Sequence, residues 1–377
     1  MKLTTEFDLV TLTVNNRQYG GWKSVRVEAG LERMARSFEI AVTTEWPAGI
    51  AGEARRIVQG DLVEIRIGND LVLTGYVDAK PRDYNAHGFN YLIKGRSKTA
   101  DLVDCSADVD GGQFQNMPAD VIAEQLAGQY GLKVIKETAT GAALTEHQIQ
   151  QGESVFNSLD RLANQRQFLV TDNGAGDVVI VSPGSGGRAS SALVLGENIL
   201  GASAGFDYSE VYSTVKVKGQ MSGGQDAAWS DQSAAGVSQS LGVAHDATLK
   251  RRRVLIVRQS GQADAATCQN RADYEQQIRL AKANEVRYTV AGWRQGDGTL
   301  WRGNQTVYVR DEIMELDRDM LISEVIYSVG DEGLTTELVV IPPAAFATLP
   351  DTQAKAAKRK GVKHQSKAKA KEDLWID

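Results

Sequence analysis

Residues 61–95 read DLVEIRIGNDLVLTGYVDAKPRDYNAHGFNYLIKG, and they decide the fold. Val63, Ile65 and Ile67 alternate with Leu62, Glu64 and Arg66, the period of a strand with one buried face. Gly68-Asn69-Asp70 supplies a hairpin turn, LVLTGYV a second strand and FNYLIKG a third. Residues 305–341, QTVYVRDEIMELDRDMLISEVIYSVGDEGLTTELVVI, repeat that order of events. Each stretch has a strand after a glycine (Gly60, Gly303), a polar link and an aliphatic strand (Leu71 to Val77, Met320 to Tyr327). A glycine turn (Gly88, Gly333) and a closing aliphatic strand then follow. Identity is low and the spacings differ by several residues, so the echo is one of order; a duplication predicts two similar barrels in one chain.

Working outward, LVTLTV, SVRVEAG and SFEIAVTT precede the first stretch as further short strands, with Val25, Val27 and Ala29 alternating. The period then changes. Asn116-Met117-Pro118 offers a cap and a first-turn proline, Ile122, Leu126 and Tyr130 follow at helical spacing, and Gly131 is a stop. A second helix is predicted from about Glu153 to Gln167, with Val155, Leu159, Leu162 and Ala163 on one stripe. It leads into a hairpin through Phe168 to Thr171, a turn at Asp172 to Gly176 and a strand from Val178 to Val181. SPGSGGRASS, residues 182–191, has a linker's composition, residues 221–248 lack sustained periodicity, and a helix is expected from about Asp264 to Asn284. The expected class is mostly β, α+β. Barrel one takes 1–107, an α/β unit 108–189, barrel two 190–220 and 286–346, a helix-containing insertion 221–285, and a basic, disordered tail 347–377.

Composition narrows the class of function. Of 377 residues 37 are glycine and only 7 proline, which fits many tight turns in a β-rich chain. Two cysteines, Cys105 and Cys268, make neither a disulfide framework nor a zinc site, and fit a reduced, cytoplasmic place of assembly. The start lacks the order of a signal peptide, and no apolar stretch approaches a membrane span, so a soluble chain without stable membrane insertion is expected. Of 42 basic and 48 acidic side chains, residues 351–377 hold eight and four, leaving the body at -10 and the tail at +4. An acidic body argues against specific nucleic-acid recognition, which needs several phosphates neutralised.

The residues that offer chemistry read better as structure. Gly201-Ala202-Ser203-Ala204-Gly205 spells G-x-S-x-G, but strand-like FDYSEVYSTVKVKG follows where a nucleophile elbow needs a helix. His87, His147, His245 and His364 fall in predicted turns, loops or the tail, with none paired for a metal. The GGQ triplets at Gly111 to Gln113 and Gly223 to Gln225 read as turns. Asp172 and Asp177 lack the order of a calcium loop and read as a hairpin. Trp293 and Trp301 flank a turn and suit cross-strand packing over a sugar platform. Glu312, Glu315, Asp317 and Asp319 form a solvated face, or equally the wall of a channel. The lysine-rich tail, ending in the apolar hook Leu374, Trp375 and Ile376, either docks on an acidic partner in the assembled particle or is a solvated end.

Three stretches resemble one family. Residues 60–98 are similar to the first barrel of the baseplate hub proteins of contractile phage tails, in particular the Mu-like hub, related to late control protein D and the base of type VI secretion spikes. GESVFNSLDRLANQRQFLVTDNGAGDVVIVSP, residues 152–183, resembles that family's helix and hairpin, and SEVIYSVGDEGLTTELVV, residues 323–340, its closing hairpin. The resemblance implies a homotrimer whose barrels form a ring joining a threefold spike to a sixfold tail tube, with a central passage for DNA. On the residues themselves no catalytic residue, cofactor or metal is expected. The tail spike, the tube and other baseplate proteins are then the partners, with the spike a separate chain, and the place is the virion tail baseplate. Two other classes stay open on the residues: a peptidoglycan-degrading tail enzyme, and an OB-like module binding carbohydrate or nucleic acid.

Overall fold

The computed structural model describes residues 9–42, 57–85, 88–166, 168–222, 237–247, 249–262, 265–330 and 333–343. The chain forms two compact units, one running to Tyr212 and resuming at Glu275, the other Ser213–Tyr274. Among the described residues no helix is long and apolar enough to cross a membrane.

The first unit begins with β1 (Val10–Val14), β2 (Arg17–Tyr19), β3 (Ser24–Gly30) and β4 (Ser37–Ala41), then β5 (Leu62–Ile67), β6 (Asp70–Ala79), β7 (Arg82–Asn85) and β8 (Gly88–Ser97). Helix α1 (Ala100–Asp104), β9 (Gln113–Met117), α2 (Ala119–Gly128), β10 (Val134–Lys136), β11 (Leu144–Gln148), α3 (Val155–Arg166), β12 (Leu169–Asp172) and β13 (Val178–Val181) follow. Next come β14 (Leu193–Val194) and β15 (Ile199–Ala204). The second unit holds β16 (Thr214–Ser222), β17 (Val237–His245), β18 (Val254–Gln262) and the start of α4 (Ala265–Lys282). The chain then supplies β19 (Val286–Ala291), β20 (Thr306–Asp311), β21 (Leu316–Gly330) and β22 (Gly333–Ile341).

Fourteen strands make one sheet, its path β15-β19-β22-β21-β3-β4-β8-β6-β5-β1-β2, with β20 on β21, β14 on β20 and β7 on β8. The alternation read in β5 is real: Val63, Ile65 and Ile67 are buried and Leu62 is exposed. Two halves of the sheet share one pairing order, β1-β5-β6-β8-β4-β3 and β14-β20-β21-β22-β19-β15. One difference is that β1 lies antiparallel to β5 whereas β14 lies parallel to β20. The correspondence reaches single residues. β6 faces β8 with Val77 on Gly95, slips, and resumes with Ala79 on Lys94; β21 faces β22 with Ile322 on Val340, slips, and resumes with Glu324 on Val339. Beyond the slip Arg82 faces Tyr91 as Tyr327 faces Thr336, and Asn85 faces Gly88 as Gly330 faces Gly333. The numbering offset is constant from Tyr76 and Leu321 onward; the differing spacings before it come from unequal turns, Gly68-Asn69 against Glu312 to Glu315, and from a slip at Val72 of β6 that the second set lacks.

The sequence predicts two similar barrels, and the two strand sets are joined along one paired path. β20 covers β21 only from Leu316 to Leu321, and β3 takes the same edge from Glu324 to Val329, joining the halves. Their buried side chains accordingly form one cluster running from Val10 to Val340.

A separate cluster fills the α/β unit, where Ile122 and Leu126 of α2 pack with Val155, Leu159 and Leu162 of α3 and with Phe168, Val178 and Ile180. Both helical stripes are those of the sequence, although Tyr130 is only half-buried. Residues 182–191 are not a loose linker. Asn304 accepts Gly184 N at 2.6 Å through Oδ1 and donates to the Ser182 carbonyl at 3.0 Å and Ser185 Oγ at 2.9 Å. Gln295 Oε1 accepts Ser190 N at 2.7 Å, so polar side chains supply an order that composition did not show.

The second unit differs most from expectation. β16, read as part of barrel two, pairs antiparallel with β17 and parallel with β18 in a sheet of three strands. β17 lies in the stretch read as aperiodic. Helix α4 sits close against it: a Cβ at Gly242 would stand 2.1 Å from the Cys268 carbonyl carbon. Gln269 brackets the same strand, accepting Val243 N at 3.0 Å and donating to Val243 O at 2.8 Å.

Candidate functional site

Within the first unit, the sheet and the α/β hairpin meet at Arg36, just before β4. Arg36 Nε donates to Asp172 Oδ1 at 3.0 Å, Nη2 to the Asp172 carbonyl at 3.1 Å and Nη1 to the Val72 carbonyl at 2.8 Å. Its backbone N donates to Asp172 Oδ2 at 3.1 Å, which also accepts Thr99 Oγ1 at 3.3 Å. The Asp172 side chain is 1% exposed, so its charge is fully engaged by donors. Thr74 Oγ1 donates to the Gly174 carbonyl at 2.9 Å, and a Cβ on Gly174 would stand 2.3 Å from the Leu71 carbonyl oxygen. A cleft of about 380 Å³ beside this joint is lined by Arg36, Asp70, Glu137, Arg302, Asn304 and Tyr327. Of its charges, Arg36 is held by Asp172 and Asp70 by Arg294 at 2.8 Å. The arrangement is a mechanical joint between a sheet and a helical unit.

The sheet also leaves edges. Among the described residues β15 pairs only with β19, β7 only with β8, and β2 only with β1. Leu200 on β15 is 63% exposed and Tyr84 on β7 is 76% exposed. β15 has no charged side chain and is exposed over most of its length, the profile of an unprotected edge.

Residues singled out for chemistry are scattered. Ser203 sits within β15 opposite Arg287, in mid-strand and not at an elbow. His147 departs from the turn or loop expected for it. It lies in β11, is 4% exposed, meets Ser158 Oγ at 2.8 Å through Nε2 and stacks on Phe114. Burial, aided by Arg161, lowers its pKa to about 4, so the ring is neutral. His245 ends β17 beside Thr214 Oγ1 at 3.2 Å. His87, His364, the second GGQ triplet and the hook Leu374, Trp375 and Ile376 lie outside the described residues.

Gly111 and Gly112 form a turn with positive φ of 75° and 59°, as the turn reading requires. Asp172 belongs to the joint, and Asn173 Oδ1 closes the hairpin by accepting Ala175 N and Asp177 N at 2.9 and 3.0 Å. Trp293 and Trp301 are 1% and 2% exposed, which leaves no sugar platform. Trp293 Nε1 donates to the Thr335 carbonyl at 2.9 Å, and its ring meets Tyr327 edge-on. Glu312, Glu315, Asp317 and Asp319 are exposed at one hairpin, Asp319 pairing with Arg188 at 2.6 Å and Asp317 accepting the Tyr308 hydroxyl. Among the described residues no group of three or more His, Cys, Asp or Glu is placed to hold a metal ion. Arg36 carried no signal in the sequence, because its partner lies 136 positions away.

Comparison with known proteins gives this architecture a family. Residues 9–97 match the N-terminal domain of the Mu phage baseplate assembly protein GpP-like family. Residues 99–182 match the second domain of the baseplate hub protein gp44-like family, and 264–349 the fourth domain of Mu phage baseplate assembly protein GpP. The chain is 32% identical over 342 residues to the baseplate hub protein gp44 of Escherichia phage Mu, covering 89% of this chain and 88% of that one. The chain belongs to the Mu-like baseplate hub family. This hub is thus a structural component of a phage tail baseplate, part of the virion. Its fold is also that of the 43 kDa tail protein of prophage MuSo2 from Shewanella oneidensis, at TM-score 0.78 and 32% identity over 90% of this chain and all of that one. A tail protein from Neisseria meningitidis shares the fold at TM-score 0.76 and 19% identity, over 90% of the hub and 98% of that chain.

Proposed function

We propose that this hub is a ring-forming adaptor in which copies of the chain, three to a ring, join a threefold central spike to a sixfold tail tube around a passage for DNA. The observation that carries the reading is the duplicated strand order, held in register from Tyr76 to Gly95 and from Leu321 to Val340. Three chains with two equivalent strand sets each present six similar surfaces on one side and three whole-chain surfaces on the other. That count is what a threefold-to-sixfold junction needs. The α/β unit is bolted to the first strand set by Arg36 and Asp172, so it travels with that set as a rigid attachment. The role is structural, with no catalytic, cofactor or metal residue assigned, and the partners are the spike, the tube and other baseplate proteins.

The test is reconstitution from purified full-length proteins. The chain, mixed with the spike and tube proteins of its own phage, is expected to bind the spike at one ring per spike and to nucleate tube on the opposite face. Recovery of the chain free of both after gradient sedimentation would overturn the adaptor reading.

A further inference from the structure

The joint between the two strand sets inside the chain defines how one chain meets the next. β3 closes the pairing order of the first set and pairs with β21 of the second, Val27 facing Tyr327 and Arg26 facing Ser328. In the duplicated order β15 takes the place of β3, and β6 with β7 takes the place of β21. Registers against the shared neighbours fix the equivalence. Arg26 faces Glu39, which faces Lys94; Ser203 faces Arg287, which faces Val339. Lys94 and Val339 are themselves counterparts, opposite Ala79 and Glu324 just past the slip. By the same reckoning Ser328, opposite Thr335, corresponds to Asp83, opposite Asn90.

Both members of the second joint are free. β15 and β7 each lack a neighbour on one side among the described residues. What is covered at the first joint is bare at the second. Val25 and Val27 on β3 are 3% and 1% exposed, while their counterparts Ala202 and Ala204 on β15 are exposed and half-buried. Val329 is half-buried, whereas its counterpart Tyr84 is 76% exposed. The hollow beside β15 is lined by Phe206 and by balanced charges, Asp207 and Glu285 with Lys282 and Arg287, so charge does not oppose the pairing. Pro81 does not obstruct the edge, since its carbonyl accepts Leu92 N of β8 at 3.1 Å, and the backbone N of a strand residue points to the same side as its carbonyl.

We infer that β15 of one copy adds antiparallel to the β6–β7 edge of a second copy of this chain, Ser203 facing Asp83, so that the sheet continues from chain to chain as it does within one. The contact is heterologous and propagates, closing when the rotation per chain brings the last β15 to the first β7. This inference rests on the ring reading and adds the strands and register that make it.

The experiment is disulfide trapping in the full chain carrying Cys105→Ser, with Ser203→Cys and Asp83→Cys together. The control is Ser203→Cys with Gln18→Cys on β2, the outermost strand at the other end of the sheet path. Mass is first measured under reducing conditions for both. Oxidation is expected to link the Ser203→Cys, Asp83→Cys chains into covalent species of up to three, roughly tenfold faster than the control, because a disulfide needs Cα atoms within about 7 Å. Oligomers of the right mass that do not link, or that link faster through Gln18→Cys, would overturn this register and leave the ring standing. A chain that remains single before oxidation would overturn the ring, and this inference with it.

Discussion

Asp172 shows how much of the architecture can hang on one side chain. Its carboxylate takes the Arg36 guanidinium, the Arg36 backbone and the Thr99 hydroxyl. Without the acid the guanidinium keeps only neutral carbonyl partners, Val72 and the Asp172 backbone, and loses the counter-charge it meets at the joint. Asp172→Ala is expected to cost about 3–5 kcal/mol of stability, the range for breaking a buried pair from one side, read by chemical denaturation of the first unit. A loss below about 1 kcal/mol would show the pair to be ornamental. His147 gives a pH signature. Its folded pKa of about 4 lies below the ordinary 6.5, so the unfolded chain takes up the proton first as pH falls. Stability from this group is full above pH 6.5 and declines to about pH 4, by at most about 3 kcal/mol. His147→Gln is expected to flatten that part of the stability profile; an unchanged slope would assign it to other groups. Neither residue's role was legible in the chain. Asp172 was visible only as part of a turn, and the burial of His147 comes from Phe114 and Ser158, which no local pattern connects to it.

At the scale of elements, local chemistry was readable and contacts were not. The helical stripes Ile122 with Leu126, and Val155 with Leu159 and Leu162, could be read because a helix buried on one side repeats every 3.6 residues. The strap at 182–191 was misread because its order comes from Asn304 and Gln295, more than 100 positions away. Gly174 belongs here as well. The α/β hairpin approaches β6 so closely that a valine at this position would drive a branched side chain into the Leu71 carbonyl, where a Cβ has 2.3 Å. Gly174→Val is expected to destabilise by about 1–3 kcal/mol and to expose the α/β unit to proteolysis ahead of the sheet. Cleavage at the unmutated rate would mean that the hairpin is not what holds the unit. In the second unit Gly242→Val should separate α4 from β17 in the same way, read as lost protection of β17 amides from hydrogen exchange.

For the whole molecule, the echo between residues 61–95 and 305–341 was visible as an order of strands and glycine turns. Its register was hidden, because the turn after β5 is shorter than the turn after β20. What no sequence pattern conveyed is that the two sets share a sheet. That follows from the length of β21, 15 residues, which leaves an edge for β3 beyond the end of β20. Family membership was legible through the stretches at 60–98, 152–183 and 323–340, and the wider comparison extends it over most of the chain. The adaptor role depends on one property above all, that copies of the chain assemble into a closed ring of three. Sedimentation equilibrium of the full chain over a wide concentration range tests this directly. The account predicts a limiting mass of three chains that grows no further as concentration rises; a single-chain mass at the highest concentration reached would contradict it.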